Sequence, residues 1–246
     1  MAFSGPDIVV QMTISQPQNE FPFTAMLVGS AAVVTCLYLV VLTGDADLSL
    51  YFGNVSPVLA VALVCATGIL ALYALHRNSG FSVYDPYCFR KGIRVAVALV
   101  LPFMIIMTFV DVAFRFPPDI NVALPTAMLF YPAIGYVAQI ALHVAPFAIL
   151  LSLTKLLFKT RSTTWCVWLS ITIASAFEAT FQAVSSLDGD GLSTIAGIVA
   201  VILWLFGVAE LYLYRRFDFA TMYAFRIFYY CYWHLLWGNL RIHWLY

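Results

Sequence analysis

The chain has 246 residues, 63% hydrophobic and only 10% charged, and its 12 basic and 12 acidic side chains cancel. Its mean hydropathy is +0.92. Soluble domains carry roughly a quarter charged residues, so composition excludes a water-soluble globule, and a neutral chain without a basic tract gives nucleic acid nothing to bind.

Residues 1–21 contain Asp7 and Glu20 but neither Lys nor Arg. They read as a cytoplasmic N-terminal tail rather than a secretory signal, which needs a positive n-region before its apolar core. Residues 22–246 read as one transmembrane helical domain. A hydrocarbon core of about 30 Å takes roughly 20 helical residues. On that rule the chain divides into seven spans, at approximately 23–43, 55–75, 93–114, 126–157, 164–187, 192–214 and 219–242. The fold class is therefore an all-α polytopic bundle. The fourth span is longer than a crossing needs, and Pro132 and Pro146 are placed to kink it or split off a short leading helix. Cys36, Cys65, Cys88, Cys166 and Cys231 are odd in number and mostly inside apolar segments, so no disulfide framework is expected.

Orientation follows from the basic residues. Arg77, Arg90, Lys91 and Arg94 follow the second span, Lys155, Lys159 and Arg161 the fourth, and Arg215 and Arg216 the sixth. The opposite connections hold Arg115 and Asp45, Asp47, Asp119, Asp188 and Asp190, with Arg241 near the C-terminus. The positive-inside rule then puts the N-terminus in the cytoplasm and the C-terminus outside, in a plasma or cytoplasmic membrane. Seven spans invite a retinal protein, but the last span has no lysine to form a Schiff base.

An ionisable group inside a span is costly and marks a candidate functional site. In "GYVAQIALHVAP", Gln139 and His143 stand four apart on one helical face, just before Pro146. In "ASAFEATFQAVSS", Ser175, Glu178, Gln182 and Ser185 form a polar stripe that should face the bundle interior. In "FRIFYYCYWHLLWGNLR", Arg226, Tyr230, His234, Gly238 and Arg241 align along one face. Counting from the span ends puts His143, Glu178 and His234 at similar depth, and Arg226 near Glu210 of the sixth span. Each has a structural reading. A buried histidine hydrogen-bonds a carbonyl, a protonated Glu178 joins helices, the aromatic run around His234 packs, and Glu210 pairs with Arg215 or Arg226.

This inventory resembles the CPBP family of intramembrane proteases, which includes the CAAX-processing enzymes. Glu210 and Arg215 in "AELYLYRRF" stand at the spacing of the first Glu and the Arg of the family's Glu-Glu-x-x-x-Arg motif, with Leu211 in place of the second Glu. "WHLLWGN" is similar to the His-x-x-x-Asn motif, with Asn239 five residues after His234 instead of four. The resemblance covers about residues 130–242 in kind rather than in order, and His143 precedes the other motifs. It implies a divergent hydrolase, either active or inactive, in which Glu178 is general base on a water held by His143 and His234, Asn239 or His234 meets the oxyanion, and Gln139 and Gln182 line the site. The substrate implied is a membrane protein or lipidated peptide. Two alternatives belong to other classes: a single haem b ligated by His143 and His234, or a non-catalytic subunit or scaffold. Cofactor and metal content stay open at this point.

Overall fold

The computed structural model describes residues 20–43, 54–118, 120–185 and 194–246. The tail before residue 20 lies outside this set, as do Asp45, Asp47, Asp119, Asp188, Asp190 and the side chain of Ser185. Among the described residues every regular element is helical. We number them α1 (Phe23–Thr43), α2 (Pro57–Ser79), α3 (Pro86–Phe114), α4 (Ala127–Leu157), α5 (163–185), α6 (Thr194–Arg216) and α7 (219–245). Five of them, α1 to α4 and α6, are long and apolar enough to cross a membrane. Large apolar side chains such as Leu63, Leu70, Phe109 and Leu156 lie more than 60% exposed along these helices, a surface that lipid rather than water covers. The chain is a multi-pass integral membrane protein.

The other two helices are shorter or less apolar for identifiable reasons. α5 breaks into Thr163–Ala174 and Ala176–Ser185 at Ser175, whose hydroxyl donates to the Ile171 carbonyl at 2.8 Å. Such back-bonding bends helices. α7 is rich in Tyr and Trp, buries Arg226 and Arg241, and widens to a π-helix over Cys231–Trp237. α4 does the same over Gln139–Val144, where the Ala145 N–H donates five residues back to the Ile140 carbonyl. Pro146 follows directly, and Pro132 sits inside the first α segment. The prolines therefore neither split nor end the fourth helix.

Two packed clusters form the core. One joins α1, α2 and α4 to part of α5, and the other joins α3, α6 and α7 through Val100, Phe206, Phe225, Trp233 and Trp237. Where they meet, α4, α5, α6 and α7 enclose the charged residues described next. The start of α7 is fixed by Asp218, which accepts from the Thr221 N–H at 2.7 Å as N-cap and from the Asp85 N–H at 2.9 Å. Asp85 in turn caps α3 by accepting from the Tyr87 N–H at 2.8 Å. These two caps tie α7 to α3 and fix the axial position of Arg226, two turns further on.

Candidate functional site

Arg226 lies fully buried between two glutamates from different helices. Its Nε and Nη2 donate to Glu210 Oε1 and Oε2 of α6 at 2.8 and 2.7 Å. Its Nη1 and Nη2 donate to Glu178 Oε1 and Oε2 of α5 at 3.0 and 2.7 Å. The remaining Nη1 hydrogen reaches the Tyr230 hydroxyl, one turn along α7, at 3.2 Å. All five guanidinium N–H groups are thereby used, and the planar fork fixes both carboxylates in register.

His143 of α4 closes the cluster. Its Nε2 stands 3.5 Å from Glu178 Oε2 and 3.5 Å from Glu210 Oε2, too far for a direct bond to either. Among the described residues no other side chain or backbone group hydrogen-bonds that nitrogen, and the Gln139 amide one π-turn earlier also has both polar atoms buried without a partner there. Native proteins rarely leave such groups unsatisfied, and ordered water is the usual remedy in a polar pocket. With a neutral imidazole the formal charges of the four side chains sum to −1, and one added proton brings the set to zero. His143 comes this close because position 207 on α6 is glycine. A Cβ there would meet His143 Nε2 at 2.6 Å and the Ser175 Cβ at 3.1 Å.

His143, Glu178 and Glu210 could each offer a ligand atom to one metal ion, all within 4.8 Å of one another. However, the Arg226 guanidinium donates to all four oxygens of these two carboxylates, with Nη2 2.7 Å from both Oε2 atoms. A fixed positive charge already bridges the two carboxylates and repels a second cation, so the donor set does not fit a metal ion while Arg226 stays where it is.

The remaining sequence candidates lie elsewhere. His234 does not join Glu178. Its Nδ1 is 2.6 Å from Asn121 Oδ1, its ring stacks on Tyr131 at 3.9 Å, and it meets the cluster only through the edge of Tyr230. Gly238 makes room for this arrangement, since a Cβ there would fall 2.6 Å from Asn121 Nδ2. Asn239 is exposed and donates to the Leu235 carbonyl of its own helix at 2.6 Å. Gln182 is exposed on α5. Arg215 does not pair with Glu210; its guanidinium lies over the Trp168 ring, 5.3 Å from the centroid. The π-segments explain part of this, because a widened turn shifts every later residue relative to α-helical counting. A haem held by His143 and His234 would need both rings aimed at one centre. His143 is aimed at two carboxylates instead, and His234 is bonded to Asn121 and covered on one face by Tyr131.

A second buried charge pair escapes the sequence reading. Asp111 of α3 and Arg241 of α7 are both fully buried. Arg241 Nε and Nη2 donate to Asp111 Oδ2 and Oδ1 at 2.6 and 2.8 Å. Trp237 Nε1 and the Phe116 N–H also donate to Asp111, at 2.7 and 3.0 Å. Arg241 gives two further hydrogens, one from Nη1 and one from Nη2, to the carbonyls of Pro117 and Phe116. An acid within "FVDVAF" and an arginine in the last turns were the available signals, under the same rule that marks Glu178.

No protein-family model matches the chain, and neither does any curated protein or solved structure.

Proposed function

We propose that the chain is a seven-span intramembrane hydrolase of CPBP-like chemistry, acting on a peptide bond in a lipidated or membrane-embedded substrate. The observation that carries this reading is His143 Nε2 placed 3.5 Å from two carboxylate oxygens that a single arginine holds in register. One water between these three atoms would hydrogen-bond all of them. Glu178 is the better placed base, because its side chain keeps 6% exposure while that of Glu210 has none.

In the reaction, Glu178 Oε2 takes a proton from the water as its oxygen bonds to the scissile carbonyl carbon. His143 orients that water, and Arg226 holds both carboxylates while their charge changes. The proton then passes to the leaving amine as the C–N bond breaks, giving a carboxylic acid and an amine. Neither Asn239 nor His234 has a part in this scheme. The seven-span topology with the N-terminus inside rests on nine basic residues grouped in alternate connections, and on α5 and α7 supplying the two crossings beyond the five most apolar helices.

The test is hydrolysis in ¹⁸O-labelled water by purified protein in liposomes, given farnesylated C-terminal peptides and single-span helical peptides. Cleavage with one ¹⁸O in the new carboxylate is expected, and Glu178→Gln and His143→Ala should each slow it by about 10²–10⁴-fold, the usual worth of a general base. Equal rates in both variants, with protein of unchanged thermal stability, would sink the assignment.

A further inference from the structure

Away from the charged cluster, a cavity of about 200 Å³ opens between the last turns of α2 and α4. Its floor is apolar, with Leu75 and Leu151 buried and Ala148 beside them. Its rim is polar, formed by Asn78, Ser79 and Lys155. Lys155 is half-buried and donates to Ser79 Oγ across the two helices at 2.8 Å. Among the described residues it has no carboxylate partner. None is near in sequence either, since residues 54–84 and 127–163 contain neither Asp nor Glu, while Arg77, Lys155, Lys159 and Arg161 cluster where these helices end.

A lysine in the last turn of a helix favours the helix dipole, and that accounts for a cation at position 155. It does not account for an ammonium turned onto a neighbouring helix to line a cavity. An ammonium has three donors, and only one is spent on Ser79. The Ser79 hydroxyl, which accepts from Lys155, keeps its own hydrogen free to donate. The Asn78 amide adds two more donors at the rim.

We propose that this cavity binds the phosphate of an anionic membrane lipid, with Lys155 and Ser79 on the phosphate oxygens and an acyl chain over Leu75 and Ala148. Inorganic phosphate shares the headgroup chemistry, but it would gain nothing from the apolar floor. Basic pockets between helices at the membrane boundary bind anionic headgroups in this way. The inference is independent of the hydrolase reading.

Native mass spectrometry of the delipidated full chain in detergent tests it, titrated separately with phosphatidylglycerol, phosphatidylcholine and inorganic phosphate. Phosphatidylglycerol should form a discrete adduct, about fivefold tighter than with phosphatidylcholine, the worth of one lysine near an anionic surface. Lys155→Gln should erase that preference, Lys155→Arg should retain it, and Lys159→Gln should leave it unchanged. Thermal unfolding of each variant separates lost binding from lost fold. Equal binding of the two lipids, an undiminished preference in folded Lys155→Gln, or full displacement by inorganic phosphate at matched concentration would each overturn the proposal.

Discussion

Two arginines on α7 are fully buried some four turns apart, and their surroundings differ. Arg241 faces one carboxylate. Charges cancel there, Asp111 is met by four donors, and backbone carbonyls take two more guanidinium hydrogens, so that every nitrogen and carboxylate oxygen of the pair has a partner. Arg226 faces two carboxylates, and beside them stands the His143 imidazole, which, like the Gln139 amide one turn earlier on α4, has no hydrogen-bond partner among the described residues. Burying a charge pair is costly and is offset only by full hydrogen bonding. The Arg241 pair meets that condition and is explained by holding α3 to α7. The Arg226 cluster exceeds it in charge and falls short of it in satisfied groups, and that contrast is what supports the proposal of chemistry there.

The largest effect should come from breaking the satisfied pair. Asp111→Ala strands Arg241 in the interior and should cost about 3–5 kcal/mol, read as a drop in the unfolding midpoint in detergent; an unchanged midpoint would refute the structural role. Trp237→Phe removes one hydrogen bond to a charged acceptor and should cost about 1.5–3 kcal/mol in the same assay. Gly207→Ala places a methyl group against His143 Nε2 and should cost about 1–3 kcal/mol as overpacking. The same substitution should depress the proposed hydrolysis more than its loss of folded protein explains, which compares the two regions through one residue. Arg215→Gln should change stability by at most about 1 kcal/mol, the range of a partly exposed cation–π contact. A larger loss would restore Arg215 as a partner of Glu210. Asn239→Ala should stay within about 0.5 kcal/mol, as surface changes do.

The helices were legible in the sequence because hydropathy and Lys/Arg placement are set by the bilayer itself. The approach of Glu210 to Arg226 was also legible, since depth counting on two helices joined by a tight turn leaves little freedom. Depth likewise brought Glu178 and His143 into reach of each other. The rotation of His234 was not legible, because the sequence carries no mark for the π-segment on which it lies. Nor was the shared arginine: Glu178 and Glu210 were read as members of separate groups, and only three-dimensional packing of α5 against α6 puts both on one guanidinium.

The π-segment of α4 has a consequence for how this helix tolerates change in length. A π-turn is a helix carrying one residue more than its hydrogen-bond ladder requires. Deleting a single residue between positions 139 and 144 would let the ladder close as ordinary α-helix. The halves before and after would keep nearly the same facing, because a π-turn takes up its extra residue within one widened turn instead of passing an α-helical step of about 100° on to the rest of the helix. His143 lies inside that turn, with Tyr131 and Tyr136 before it and Lys155 after it. The extra residue thus acts as a local widening, and its loss would re-aim the side chains within 139–144, His143 among them, while the two ends of the helix go on facing as they do.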